Sequence, residues 1–339
     1  MDIVRRMGRF GMGARAVRPA FTLIELLVVI SIISVLLSIL LPVLSGARRT
    51  AKGVSCQAKL KEIGTGVQFY ATDNDDWIIG SPAGSGAYIL GSFASGAATQ
   101  RWDWMGPMAK QMGYPLPEGS GNTITAERFN MIRGMPLFLC PSNDFLATWY
   151  DGPNAGTGPM VSYNTSRYML FEHVSSGGDG IATYGNFHEE KLPTGWKPRI
   201  TRMGDVSKKV FAADGARYST TSVKPDYDLT AQAAWGGSFS DVAPYSTFTR
   251  SWDRGGMTGG SFDARIYAFR HSTSIPAPKA PGDAYKANFV FMDGHTEKLG
   301  DLESANPHLW LPAGSQLTQG SLYPDVRQRY GTGTIDIGS

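Results

Sequence analysis

Phe21 to Ser45 reads FTLIELLVVISIISVLLSILLPVLS, a stretch of 25 residues with one ionisable group, Glu25. From Leu26 to Leu44 there are 19 consecutive uncharged residues, interrupted only by Ser31, Ser34, Ser38 and Pro42. At about 1.5 Å per residue, a helix of that length nearly spans the ~30 Å hydrocarbon core of a bilayer. A secretory signal carries a shorter apolar run, roughly 7–15 residues, before a small-residue cleavage site. Here Ala47-Arg48-Arg49 follows instead. The segment is expected to be a retained, single-pass membrane helix, so one part of the chain is matched to lipid and the rest to water.

Charge sets the expected orientation. Residues 1–20 carry Arg5, Arg6, Arg9, Arg15 and Arg18 against Asp2 alone. Removing these from the 32 basic and 29 acidic residues leaves 27 and 28, so the body of the chain is near neutral. A basic tract before an apolar run points to membrane topology, with the basic side held in the cytoplasm. Arg48, Arg49 and Lys52 lie on the opposite flank, but the first flank is richer and usually dominant. A near-neutral body argues against a nucleic-acid partner. Eleven per cent aromatic residues argue against disorder.

Two residues of the apolar run ask for more than an anchor. A carboxylate at Glu25 is costly in lipid unless protonated, paired or able to reach the interface. Interface snorkelling and pairing with a positive group on a partner helix are both open. Pro42 removes a backbone donor and crowds the carbonyl four residues back, predicting a loosening near Ser38.

The run Ala20-Phe21-Thr22-Leu23-Ile24-Glu25-Leu26-Leu27-Val28-Val29-Ile30 resembles the processing site of type IV prepilins and type II secretion pseudopilins. The resemblance implies cleavage between Ala20 and Phe21 by a prepilin peptidase and methylation of the new Phe21 amino terminus. It makes Glu25 the fifth mature residue, which in that family pairs with a neighbouring subunit's N-terminal amine. It makes Pro42 the twenty-second, where these helices commonly carry proline. Ala20 stands where the family usually has Gly. The implied location is the inner (cytoplasmic) membrane, with the N-terminus cytoplasmic and the head periplasmic or extracellular. The implied partners are the peptidase and pilin-type subunits.

Beyond the membrane the helix is expected to continue. Cys56, Leu60, Ile63, Val67 and Tyr70 recur at helical spacing, with Lys and Arg on other faces. Gly53, Gly64 and Gly66 each weaken helix formation by about 1 kcal/mol relative to Ala. Asp73-Asn74-Asp75-Asp76 reads as a terminating turn and not a calcium loop, since no downstream Glu sits at the required spacing. The expected organisation is a leader at 1–20, a membrane segment at 21–45, an amphipathic continuation at 46–72 and a head at 73–339. The expected fold class is α+β and pilin-like, with the long helix packed on a mainly antiparallel β head.

In the head, short β-branched or aromatic runs predict strands at Met160–Tyr163, Tyr168–Phe171, Lys209–Ala213, Arg265–Arg270 and Asn288–Met292. Asp293-Gly294 predicts a two-residue hairpin turn into His295–Leu299. Residues 216–264 read as a polar insertion and 300–339 as an irregular extension. Phe269-Arg270-His271 and Asn288-Phe289-Val290-Phe291-Met292-Asp293-Gly294-His295 resemble the C-terminal signature of a large pilin-like subgroup, a His followed by an Asp-Gly turn. Leu139-Cys140-Pro141-Ser142 and Phe211-Ala212-Ala213-Asp214-Gly215 resemble its middle. No chemistry attaches to that signature.

His271, Asp214, Asp293 and His295 are types that bind metals, but no pair has helix or CxxC spacing. Turn closure by each Asp, with His271 as hydrogen-bond donor, is the expectation, with no metal and no cofactor. Cys56 and Cys140 could form one disulfide in an oxidising compartment or remain two separate thiols. No GxSxG, HExxH or GxxxxGK motif is present, and no enzyme is expected. The rival to a filament subunit is a membrane-anchored, non-polymerising protein whose Trp102, Trp104 and Trp149 bind glycan or protein.

Overall fold

The computed structural model describes residues 22–81, 103–119, 122–143, 146–149, 158–170, 190–215, 226–227, 239–241, 243–246, 267–272, 282–318, 320 and 322–338. The chain divides into two compact units, residues 1–47 and 48–339. Helix α1, Leu23–Asp73, is continuous for 51 residues and passes through Pro42. In the first unit every large apolar side chain from Leu23 to Leu44 is exposed. Ser31, Ser34 and Ser38 turn their hydroxyls back onto the carbonyls of Val28, Ile30 and Val35. Their polar groups are thus satisfied within the helix, as a lipid-facing segment requires.

Within the second unit, the Cys56–Leu60–Ile63–Val67–Tyr70 stripe is buried. The helix ends where Asp75 and Asp76 adopt left-handed φ of 49° and 63°. Asp76 N–H caps the Ala71 carbonyl at 2.9 Å, and Asn74 Nδ2 donates to Tyr70 O at 2.8 Å. The acidic run is a helix terminator.

The head is built on a five-stranded sheet. Its strands are β1 (Tyr163–Ser166), β2 (Val210–Asp214), β3 (Ser240–Asp241), β4 (Lys286–Phe291) and β5 (Thr296–Gly300), in the order β3-β1-β2-β4-β5. All pairings are antiparallel except β1 with β3. The architecture is α+β and pilin-like: a long N-terminal apolar helix followed by a domain of mainly antiparallel sheet. All five residues of β2 are buried, as are Ala287–Phe291 of β4. Unbroken burial marks strands covered on both faces. Asn288 and Val290 meet α1, while Phe289 packs edge-to-face on Trp310 at 6.2 Å. That alternation is the period of two that a strand imposes.

The β4–β5 hairpin differs from the expected two-residue turn. Gly294 N–H closes onto Phe291 O at 2.9 Å, and Gly294 itself takes φ 87°. Glycine is therefore the left-handed residue after the turn, as in longer hairpin loops. This turn lies under α1. A Cβ on Gly64 would be 2.6 Å from Val290 Cγ2 and 2.9 Å from Gly294 Cα. The glycine expected only to weaken the helix is the point of closest approach to the sheet.

Other expectations shift. The strand predicted at Met160–Tyr163 begins at Tyr163, and Arg167–Met169 is a 3-10 turn. Among the described residues of the Arg265–Arg270 run, 267–270, only Tyr267 forms a bridge, to Gly215. The C-terminal region is not an irregular extension: it contains helices Asp301–Ser304 and Pro324–Tyr330 and a small sheet joining Gln316–Leu317 to Ile335–Asp336 and Glu190–Lys191. Trp310, Leu311, Leu317, Leu322 and Val326 are fully buried there. Most of the 216–264 segment lies outside the described residues.

Candidate functional site

The N-terminal segment is organised around Thr22 and Glu25. Thr22 N–H and Thr22 Oγ1 both donate to Glu25 Oε2 at 2.8 Å, and Glu25 N–H donates to Thr22 Oγ1 at 3.2 Å. This reciprocal pair is a capping box, which satisfies backbone donors left free in the first helical turn. The T-x-x-E spacing was legible in the sequence as a helix start, and it supplies a local partner for Glu25 that neither snorkelling nor intersubunit pairing had invoked. The junction Ala20–Phe21 lies outside the described residues.

A second constellation is buried in the head. Four segments distant in sequence converge on it: Cys56 from α1, Cys140 from the turn after the 3-10 helix Pro136–Phe138, Asp214 from the end of β2, and His271 from the segment leading toward β4. Backbone hydrogen bonds hold the segments together. Ser162 N–H donates to Phe138 O (2.9 Å), Gly215 N–H to Ser162 O (2.7 Å), Ala268 N–H to Asp214 O (2.9 Å) and His271 N–H to Lys286 O (2.8 Å). The four side chains are 0–4% exposed.

Cys56 Sγ donates to Asp214 Oδ1 at 3.1 Å and lies 3.3 Å from Tyr163 OH. His271 Nε2 is 3.1 Å from Asp214 Oδ2 and 3.4 Å from Cys140 Sγ. Asn288 N–H donates to Asp214 Oδ2 at 2.8 Å, and Arg270 Nη1 lies 3.9 Å from Asp214 Oδ1. Burial alone would raise the Asp214 carboxyl, but the His271 charge and hydrogen bond, with Arg270 and the Asn288 amide, hold it below the usual range. Burial would lower His271, yet the Asp214 charge and hydrogen bond carry it up to about 10. Of the two thiols, Cys56 is pushed up by burial and by its neighbours Cys140 and Asp214.

His271, Asp214, Asp293 and His295, expected to close turns and not to hold a metal, fall into two separate pairs. Asp293 and His295 sit together at the exposed hairpin turn, with Nδ1 of His295 2.6 Å from Asp293 Oδ1. His271 pairs with Asp214 and not with Asp293. Cys56 and Cys140 are free thiols, both buried in the same cluster. The four members come from four separate elements, so no short-range spacing in the chain announces them.

One further sequence candidate changes character. Trp104 is fully buried and donates its indole N–H to Phe239 O at 2.9 Å, packing edge-on against Phe138 and Phe211. It is a core residue and presents no stacking face. Trp102 lies outside the described residues. A buried carboxylate that the sequence did not single out is Glu190. It accepts from Tyr168 OH (2.9 Å) and Tyr245 OH (3.1 Å), and burial raises it to about 7 against these bonds and the nearby Arg167 charge.

Residues 18–41 match the family described as the prokaryotic N-terminal methylation motif. The matched stretch contains Ala20, Phe21 and Glu25 and most of the exposed apolar part of α1. The matched stretch is a prepilin-type N-terminal motif, carried on a helix with the length and apolar surface of a membrane anchor. No curated protein and no solved structure matches the chain.

Proposed function

We propose that this chain is a subunit of a type IV pilus-like or type II secretion pseudopilus filament. In this reading a prepilin peptidase cuts between Ala20 and Phe21, and the new Phe21 amine is methylated. The helix from Phe21 to Ser45 is held first in the inner membrane and then in the filament core. The basic leader stays cytoplasmic and the head lies outside. The observation that carries the proposal is the methylation motif over residues 18–41, coinciding with the part of α1 from Leu23 to Leu44 in which every large apolar side chain is exposed. An isolated soluble chain would bury such a surface, and neighbouring helices in lipid or in a filament core would cover it.

Glu25 has a defined part in this reading. Its carboxylate caps its own helix through Thr22, and it is exposed and able to accept a neighbour's N-terminal amine. A charge-assisted bond across subunits would set the axial register of packing. The size of the head favours a minor or specialised subunit. The protein is read as structural and not as an enzyme.

The test is the intact mass and N-terminal sequence of the membrane-extracted protein, prepared with and without a prepilin peptidase. Loss of residues 1–20 and a methylated Phe21, only when the peptidase is present, is the expected result. An uncut chain in both preparations would overturn the proposal and leave a membrane-anchored binding protein.

A further inference from the structure

We propose that Cys56, Cys140, Asp214 and His271 form a closed, structural zinc site that pins α1 to the sheet of the head. One ligand atom from each residue lies within 4.8 Å of the others, and all four residues are buried. In a tetrahedron with metal–ligand bonds of about 2.0–2.3 Å, neighbouring ligand atoms are about 3.3–3.8 Å apart. Cys140 Sγ–His271 Nε2 at 3.4 Å already matches such an edge. Cys56 and His271 each contact Asp214 at 3.1 Å through different oxygens, so one oxygen would ligate and the carboxylate would turn to bring it into reach of both. Two thiolates, an imidazole and a carboxylate are a donor set suited to zinc, and four protein ligands leave no open position for water or substrate.

Charge and surroundings agree with this assignment. Zn²⁺ with two thiolates, the Asp214 carboxylate and neutral His271 sums to −1, and the buried Arg270 guanidinium beside Asp214 brings the site to zero. Binding expels to solvent any protons held by the thiols and the imidazole. Outer-shell partners are in place at three of the four ligands, Tyr163 OH and Ser142 N–H at the two sulfurs and Asn288 N–H at Asp214, while Nδ1 of His271 has none among the described residues. Such contacts orient ligands and tune a metal site. Asn288 also donates through Nδ2 to Gly53 O at 3.1 Å, so the strand that supports Asp214 is tied to the helix that carries Cys56. The site stands apart from the filament reading, because the head would hold zinc whether or not subunits polymerise.

The experiment uses the full chain, extracted from membranes in detergent and equilibrated with zinc before desalting. Elemental analysis is expected to find about one zinc per chain. Asp214→Asn and Cys140→Ser are each expected to lose it. Since a ligand variant can fail to fold, the wild-type protein loaded with cobalt in place of zinc gives an independent reading. Thiolate-to-cobalt charge transfer together with the intense ligand-field bands of a tetrahedral ion is expected. Tyr163→Phe keeps all four ligands, so it should keep those bands while binding zinc about 10–100-fold more weakly. A chain that retains no zinc, a Cys56–Cys140 disulfide found by peptide mass, or zinc that survives both ligand substitutions would each overturn the proposal.

Discussion

Gly64→Ala tests the close seating of α1 on the sheet. In an exposed helix this change should stabilise by about 1 kcal/mol, because glycine loses more backbone freedom on folding. Here the added methyl would lie 2.6 Å from Val290 Cγ2, 2.9 Å from Gly294 Cα and 3.2 Å from Gly294 O. The valine tip could turn, but the Gly294 backbone is fixed. Its N–H is bonded to Phe291, its carbonyl accepts from Lys61 Nζ at 2.9 Å, and its φ of 87° leaves few alternatives. Overpacking against an immobile neighbour costs about 1–3 kcal/mol, and backbone contact puts this site near the top of that range. The steric term wins, for a net destabilisation of about 2 kcal/mol.

Gly66 supplies the control two residues on. The three atoms nearest to a Cβ there all belong to the Met108 side chain, at 3.4–3.5 Å, and methionine adapts readily. Gly66→Ala should therefore keep most of the helix gain, so the two substitutions are expected to have opposite signs. Urea titration of the detergent-solubilised full chain, followed by tryptophan emission, measures both, since Trp104 and Trp310 are fully buried reporters in the head. A Gly64→Ala protein as stable as the parent would refute the close approach of α1 to the hairpin. Equal losses at both positions would refute the reasoning from local space.

Glu190 carries a pH dependence. Its carboxyl rises from 4.5 to about 7 in the folded head, where Tyr168, Tyr245 and Arg167 face it, so the folded state binds a proton that the unfolded chain releases. That contribution, on the order of 3 kcal/mol, is complete below pH 4.5 and disappears as pH rises through about 7. Glu190→Gln should flatten the decline in urea midpoint across this window, and an unchanged slope would assign it to other groups. Glu25→Gln separates capping from charge: glutamine preserves a capping box but cannot pair ionically with an amine. Membrane insertion should survive and filament assembly fail, whereas filaments at parental yield would remove charge pairing from the account. Trp104→Phe removes the indole donor from the Phe239 carbonyl, which keeps the Thr165 N–H at 3.1 Å, so the lost hydrogen bond should cost about 0.5–1.5 kcal/mol, read by the same titration.

What could be read from the chain alone follows the range of the interaction concerned. The membrane helix, its amphipathic continuation and the acidic terminator all depend on residues within a few positions of one another. Their periodicity was visible, and the stripe from Cys56 to Tyr70 is buried as that periodicity requires. The central strands were legible to within a few residues because Val210–Ala213 of β2 and Phe289–Phe291 of β4 are apolar runs rich in β-formers. The 300–339 region was not, since its elements are two to seven residues long and are held by tertiary contacts such as Trp310 on Phe289 and Tyr267. Propensity carries little information over such short stretches.

The glycines and the buried cluster show the same division more sharply. Gly64 reads locally as a helix defect, and only the position of Gly294 explains it. Cys56 reads locally as one apolar member of a stripe, while Asp214 reads as a turn residue and His271 as a hydrogen-bond donor to a turn Asp. Antiparallel pairing of β1 with β2 sets Tyr163 opposite Asp214, and pairing of β2 with β4 brings Asn288 to the same carboxylate. The helix then lays Cys56 over both. Polar groups with no sequence neighbours in common become a single buried constellation through sheet register, so the most chemically distinctive part of the head is the part that short-range spacing leaves silent.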